Sequence, residues 1–489
     1  MKPWLFPLFV FVLLASALAL PAASVASVAS VASGAQASLS TGQSQAKAPF
    51  GAAAAAAISL RHAVAVALKE NPQIRARRWA VKASQEAVGV QEGYLYPSIS
   101  FESSYSRTNN PVYAFMSKLN QRRFSASDFE INSLNSPSAT TDFQNSFRLD
   151  QVIFSKKLLA GLSMSKAERK AQKLDFDRLR QKVTMETVKA YLGVVTAKNA
   201  LEAADKAVQD RTEHENLAKQ RYQAGLGLYS DVLRADAAMK DAERGLVQAQ
   251  SNYEVARRAL GLVMGRTQSV TAEQTAYSVT LGPIASYYET AEQRPDIRAI
   301  EARYKKAKSA MAFAGSGYYP EIGATGQYQW NDHRSPIDGE ANSYRVGAFL
   351  RWSIFDGTTR EHEVGEAKAG LNEVREGLEG ARKEAMFKVF RAYQDVQEAA
   401  KSLDFARAEL ASAKEGRRLV ELRYKNSLSP IVDLLDSEVM VERARTQAIM
   451  AQNNLMEKYF NLGFESGTIS KFINEVGGYG QIPARQAPK

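Results

Sequence analysis

The chain has 489 residues, of which 45% are hydrophobic and 24% are charged. These values are typical of an ordered protein and exclude a wholly disordered chain. The formal net charge is +11, but no run of five or six basic residues and no zinc-ligand spacing accompanies it. We therefore expect no binding to nucleic acid.

The sequence contains no cysteine, which excludes disulfides, thiol catalysis and thiolate metal sites. Its four histidines are His62, His214, His333 and His362. None of them is followed by a second histidine four residues on, as a zinc-protease helix requires. The residues therefore predict no enzyme, no cofactor and no metal site.

The amino-terminal region has the order of a secretory signal. Lys2 precedes an apolar run from Trp4 to Leu20, and small residues follow. A basic start, a short apolar run and small residues are typical of a cleaved signal peptide. We expect residues 1–37 to hold the signal peptide and a low-complexity start, and residues 38–57 to be a linker. An uncleaved membrane anchor is the alternative.

The rest of the chain contains an internal duplication. Residues 71–75 and 96–99 match residues 294–298 and 319–322 at an offset of 223, and residues 221–222, 231–233 and 260–261 match residues 423–424, 433–435 and 462–463 at an offset of 202. We therefore predict two repeats, residues 58–265 and 288–467, joined by a linker at 266–287 and followed by a C-terminal tail at 468–489. The first repeat is about 21 residues longer (223 − 202), and the polar stretch 108–142 is the expected site of the excess, as a loop.

Before the long helix of each repeat lie two segments that alternate apolar and polar residues. We predict strands near 98–107, 145–154, 321–330 and 344–355, each about ten residues long with one apolar face, as in a membrane barrel. The candidates for an interfacial aromatic girdle are Tyr94, Tyr96, Tyr318, Tyr319, Trp330 and Trp352. A soluble, half-buried sheet is the alternative. Four strands cannot close a barrel, so a membrane barrel requires strands from further copies of the chain.

Long helices follow the strands. No proline occurs between Pro137 and Pro283, or between Pro336 and Pro430. Apolar or alanine residues then recur at steps of three and four from Leu371 to Ala413, as in a coiled coil. A helix over about 358–425 would be about 100 Å long, and Ser429 with Pro430 predicts an N-cap and first turn for a returning helix.

Taken in this order, the elements resemble the TolC-like outer membrane efflux protein family over about residues 58–467. The resemblance implies a mainly α fold with a β-barrel part: a homotrimer with a twelve-stranded transmembrane barrel, four strands per chain, in the outer membrane. A coiled-coil α-helical tunnel would cross the periplasm. The implied partners are a periplasmic adaptor and an inner-membrane pump of RND or ABC type, and the implied activity is passive conduction in efflux or type I secretion.

The resemblance also implies roles for the two helical turns. Tyr424, Asp433 and Asp436 fall on the family's gating positions, together with Asp231 and Tyr222 of the first repeat. The expected adaptor-docking residues are Gly225, Leu226, Gly227, Ser427 and Leu428. Ser429 replaces a gate arginine, and Ser427 replaces a turn glycine.

Simpler interpretations stay open for the same residues. Asp433 would favour a helix start in any protein, and Tyr424 would equally pack a hairpin. The alternative function is an exported periplasmic or surface coiled-coil interaction protein without a pore.

Overall fold

The computed structural model describes residues 57–274, 279–338, 341–426 and 428–476. Within these ranges the chain forms α1 (Leu60–Glu70), α2 (Pro72–Gly93), α3 (Pro111–Asn120), α4 (Ile131–Asn135), α5 (Lys156–Gln223), α6 (Tyr229–Val263), α7 (Ile284–Glu292), α8 (Pro295–Ala314), α9 (Thr359–Lys425), α10 (Ile431–Glu465) and α11 (Ile469–Val476). The strands are β1 (Ser98–Thr108), β2 (Thr140–Phe154), β3 (Glu321–Asp332) and β4 (Ala341–Arg351). The predicted signal peptide, and the linker apart from residue 57, lie outside the described residues.

The same order of elements occurs twice. A helix, two strands, a very long helix and a returning helix appear as α2–β1–β2–α5–α6 and again as α8–β3–β4–α9–α10. The long helices α5 and α9 have 68 and 67 residues, so each is about 100 Å long. The fold is mostly helical, as the sequence predicted.

The predicted seam of α9 is the side on which this helix packs. The buried apolar residues of its central part are Leu378, Ala385, Val389, Ala392, Val396, Ala399, Leu403 and Ala406. They face α8 and α10, and the small alanines allow the helix axes to approach closely. No helix in the described ranges is both long enough and apolar enough to cross a bilayer.

The four strands form one antiparallel sheet in the order β1-β2-β3-β4. Phe101 pairs with Phe147, Phe147 with Tyr328, and Tyr328 with Tyr344. Because side chains alternate along a strand, this register divides the sheet into two unlike faces. The apolar face carries Ile99, Phe101, Tyr105, Phe143, Phe147, Leu149, Tyr328, Trp330, Tyr344, Val346 and Leu350; the polar face carries Ser100, Glu102, Asp142, Gln144, Arg148, Asp150, Gln327, Gln329, Asn331 and Arg345.

The largest differences from the predicted strand boundaries are at the start of β2 and the end of β4. β2 begins at Thr140, ahead of the predicted residue 145, and β4 ends at Arg351. Beyond β4 the guanidinium of Arg360 donates to the carbonyl oxygens of Ser353 and Ile354. These bonds hold the connection to α9 as an irregular segment, so Trp352 lies after the strand.

Two segments expected to connect or trail the repeats are packed into the core. Ala272 is buried and forms a β-bridge with Ile58, within the predicted linker. In the predicted C-terminal tail, α11 buries Ile469 and Phe472 against α10 and α5. The hydrophobic core around Phe460 is therefore built from several elements, including segments outside the two predicted repeats.

Candidate functional site at the helical turns

The first turn, residues 224–228, joins α5 to α6. Gly225 has φ +70°, a left-handed conformation that glycine adopts without strain. Its amide donates to Tyr222 O at 3.0 Å, and the Leu226 amide donates to Arg221 O at 2.8 Å. These bonds use carbonyls that the end of a helix would leave unpaired, so the turn is tight and projects its side chains outward.

The second turn, residues 426–430, joins α9 to α10, and its Ser427 lies outside the described residues. Leu428 N donates to Arg423 O at 2.8 Å, the same bond that closes the first turn. The predicted N-cap is wrong: Pro430 holds that position, because its extended backbone (ψ 160°) comes directly before α10. Ser429 instead donates from Oγ to Asp433 Oδ2 at 2.6 Å.

Arg221 connects the two turns. Its Nη1 donates to Tyr424 O at 3.0 Å, and its Nη2 donates to Leu226 O at 3.4 Å. The guanidinium carbon also lies 4.9 Å from the centroid of the Tyr424 ring, a favourable cation–π distance. One side chain thus holds the end of α9 beside the end of α5.

The two predicted gate tyrosines occupy equivalent positions in the repeats but different environments. Tyr424 is 3% exposed and packs among Ala218, Val232 and Leu434. Tyr222 is 47% exposed, with its ring centroid 5.4 Å from that of Tyr229. Burial raises the pKa of Tyr424, the nearby Asp231 raises it further, and Arg221 opposes both. In the single chain, Tyr424 packs the hairpin and Tyr222 faces solvent.

The predicted gate carboxylates lie at helix starts. Asp231 is half-buried in the first turn of α6, and Asp433 and Asp436 are exposed at the start of α10. Among the described residues, no three His, Asp or Glu side chains of one chain gather as metal ligands would. The side chains of Asp433 and Asp436 face solvent in the single chain.

Sequence reasoning missed a buried charged cluster above the turns. Glu438 Oε1 accepts hydrogen bonds from His214 Nε2 and from Arg417 Nη1, each at 2.9 Å. Nearby, Arg211 Nη2 lies 3.1 Å from Glu442 Oε1. The sequence does contain a signal for this cluster. Glu438 follows Leu434 at the four-residue spacing of an apolar helix face, where a carboxylate is unusual.

The exposed leucines of both turns form an apolar surface. Leu226, Leu228 and Leu428 are 68%, 67% and 68% exposed. Gly225 and Gly227 allow the tight course of the first turn without adding side chains. Such a surface at the free end of a hairpin is typical of a docking site.

The predicted aromatic girdle is only partly grouped. Tyr94, Tyr96, Tyr318, Tyr319 and Trp352 are exposed near the end of the sheet that adjoins the long helices. Trp330 does not belong to this group. It lies nine residues after the start of β3, about 30 Å along the strand, and its ring stacks with Phe101, Phe147 and Tyr328 on the apolar face.

Comparison with known proteins relates this architecture to a family. The sequence matches the family "Outer membrane efflux protein" over residues 63–266 and 286–467. It is 26% identical to Protein CyaE of Bordetella pertussis over 430 residues, 85% of each chain. It is 24% identical to Outer membrane protein TolC of Vibrio cholerae over 326 residues, 63% of this chain and 74% of that protein.

The fold is similar to that of a solved outer membrane protein. The crystal structure of VceC from Vibrio cholerae superposes with a TM-score of 0.71 at 16% identity, covering 83% of this chain and 96% of that one. The family match covers both halves of the chain, including the long helices and the sheet. The chain belongs to the outer membrane efflux protein family.

Proposed function

We propose that three copies of the chain close one barrel and one helical tunnel, and so form the outer membrane channel of a tripartite efflux or type I secretion system. TolC-like channels are trimers that work with an adaptor and an inner-membrane pump. The channel conducts its cargo passively from the periplasmic turns to the exterior, and the pump, of RND or ABC type, supplies the energy. Residues 1–37 direct the export of the chain.

The two-faced sheet is the observation that carries this proposal. Tyr344 and Val346 on the apolar face are 81% and 80% exposed, which suits contact with lipid. β1 and β4 are the edges of the sheet, and unpaired strand edges are not tolerated in a bilayer. Pairing β1 of one copy with β4 of the next closes twelve strands from three copies and turns the polar face inward.

The helices below the sheet complete the tunnel. We propose that residues 58–265 and 288–467 are tandem repeats whose hairpins stand side by side; the repeated order of elements supports this. Within the chain α5 contacts α10, while α6 and α9 are the outer helices of the two hairpins. Val247 and Val255 on α6 are 65% and 66% exposed. Contact between α6 of one copy and α9 of the next would cover them.

The turns at the lower end serve docking and gating. The adaptor binds the apolar turn residues Leu226 and Leu428, together with the neighbouring Gly225, Gly227 and Ser427. Asp433 and Asp436 form a ring of six carboxylates in the trimer, and Asp231, Tyr222 and Tyr424 adjoin this ring as gate residues. The exposure of both carboxylates supports this placement.

Mass measurement and conductance test the channel together. The detergent-solubilised protein is expected to have the mass of three chains, to come from the outer membrane fraction and to conduct ions in a planar bilayer. A monomer that salt or alkaline washing releases from membranes, with no conductance, would instead support the pore-free coiled-coil protein.

Copurification tests the docking surface. Leu226→Asp with Leu428→Asp is expected to abolish recovery of the adaptor and to leave the trimer intact. Leu262→Asp is the matched control, because Leu262 is 73% exposed at the far end of α6. Equal loss of the adaptor in both variants would place the docking surface elsewhere.

A further inference from the structure

The segment between β1 and β2 is folded, although its polar sequence predicted a loop. We call residues 109–139 the β1–β2 insert. It contains α3, a 3₁₀ helix over Ala126–Phe129, and α4. The ring of Phe124 makes edge-to-face contacts with those of Phe115 and Phe129, with centroids 4.7 and 5.0 Å apart. Lys118 Nζ lies 2.7 Å from Asp128 Oδ1. The insert therefore has an internal structure of its own at the end of the sheet away from the long helices.

The insert is attached to the polar face of the sheet. Gln121 Nε2 donates to Asp142 Oδ1 at 2.8 Å and to Thr141 O at 2.7 Å. Asn331 Nδ2 donates to the same carboxylate, at 2.9 Å from Oδ2. Gln121, Asp142 and Asn331 are 6%, 6% and 3% exposed. Since Asp142 and Asn331 belong to the polar face, α3 is held over that face.

A bond from Arg122 extends the attachment to β4. Arg122 Nη2 donates to Asn342 O at 3.0 Å. Arg122 has φ +54°, a conformation that is uncommon for a residue other than glycine and needs support from its surroundings. The insert is thus bonded both to β2 and to β4.

Helix α3 packs on the sheet with its small and polar side. Ala114 and Ser117 are buried, whereas Val112, Met116 and Leu119 are 63%, 51% and 47% exposed. Spacings of four and three residues place these three side chains in one stripe along the helix. The apolar stripe of α3 therefore points away from the face on which the helix is packed and is uncovered in the single chain.

The diameter of the proposed trimeric barrel determines what covers the apolar stripe of α3. Twelve strands about 4.8 Å apart, tilted by about 40°, give a circumference of about 75 Å and a diameter of about 24 Å. A helix is about 10 Å across, so three copies of α3 against the inner wall nearly fill the opening. Their apolar stripes then face the barrel axis, where the other two copies lie within reach and lipid does not.

We propose that the three β1–β2 inserts meet at the outer end of the barrel through Val112, Met116 and Leu119 and narrow its exit. This inference rests on the proposed trimeric channel. The bonds of Gln121 to the polar face fix each insert in place, and burial of the apolar stripes stabilises the contact among copies. A second constriction then lies at the end of the channel opposite the periplasmic gate.

Cysteine cross-linking tests the contact, because the chain has no native cysteine. Oxidising a Met116→Cys trimer is expected to join two of its three chains by a disulfide and to lower the single-channel conductance until a reductant is added. Arg107→Cys is the matched control. Arg107 is exposed near the same end of the sheet but on the apolar face, so its trimer is expected to stay uncross-linked.

A charge variant tests the constriction independently. Met116→Asp with Leu119→Asp places six carboxylates near the axis, and their repulsion is expected to raise the conductance. Leu119→Cys repeats the cross-linking test at the next position of the stripe. If the trimer is intact but neither cysteine variant cross-links, and the charge variant has unchanged conductance, the inference is overturned and the proposed channel is not. Failure of the native chain to form a trimer would overturn both.

Discussion

His214 Nε2 lies 2.9 Å from Glu438 Oε1, although the two residues are 224 positions apart in the chain. Their side chains are only 6% and 4% exposed. An ionised carboxylate can only accept, so the imidazole nitrogen is the donor. Because Arg417 on α9 donates to the same oxygen, Glu438 joins α5, α9 and α10 just above the turns.

Removal of Glu438 is expected to destabilise the hairpins. Glu438→Ala leaves buried cationic and imidazole groups without their acceptor, and a broken buried ion pair costs about 3–5 kcal/mol. The midpoint of thermal unfolding should fall accordingly. Glu415→Ala is the control, since its pair with Arg418 is more than half exposed and such pairs contribute about 1 kcal/mol or less. Equal shifts in both variants would contradict a structural role for Glu438.

Low pH is expected to remove the stabilisation that Glu438 provides. Burial alone raises the pKa of Glu438, but the hydrogen bonds from His214 and Arg417 outweigh it and lower the pKa from 4.5 to about 2. A lowered carboxyl pKa means that the stabilisation is complete above the unfolded value and is lost as pH falls through the folded value. The stability difference between the native chain and Glu438→Gln should therefore shrink between about pH 5 and about pH 2. A difference that stays constant across this range would contradict the assignment.

Arg221 is expected to restrain the turns. Arg221→Ala removes the bonds to Tyr424 O and Leu226 O, so the hairpin ends are freer to separate, and single-channel conductance or open probability should rise. Arg423→Ala is the matched control, because Arg423 is the equivalent residue of the second repeat and is exposed. The same rise in both variants would show that loss of positive charge, rather than loss of the link, opens the channel.

The carboxylates at the start of α10 are expected to set ion preference. A ring of Asp433 and Asp436 raises the local cation concentration and offers oxygen ligands to divalent cations. Asp433→Ala with Asp436→Ala should lower cation selectivity and weaken divalent block of single-channel current. Replacing both by glutamate keeps the charge and should preserve both properties. Unchanged selectivity and block in the alanine variant, with a normal trimer yield, would place these residues outside the pore.

The two faces of the sheet are expected to tolerate charge differently. Val346→Arg puts a cation on the apolar face and should cost about 2–4 kcal/mol in the membrane, which lowers the yield of outer membrane trimer. Ser343 lies on the polar face of the same strand, so the Ser343→Arg chain should insert into the outer membrane normally. Equal yields would mean that the apolar face is not in contact with lipid.

Local periodicity predicted much of the fold. Steps of three and four residues located the seam of α9 from Leu378 to Ala406, and alternation located all four strands to within a few residues. Both signals arise from the geometry of a single helix or strand, which sets which side chains share a face. For the same reason, these periodic patterns predict which face of a helix or strand is apolar but not which element covers that face.

Local signals failed where distant segments meet. The sequence by itself determined the duplication, the two-faced strands and the exposed carboxylates of α10. Only the tertiary structure decided that His214 meets Glu438, that Tyr424 is buried while its repeat partner Tyr222 is exposed, and that Gln121 fixes the β1–β2 insert to the polar face. The physical reason is that periodicity depends on neighbours in the chain, whereas burial and hydrogen bonding depend on neighbours in space.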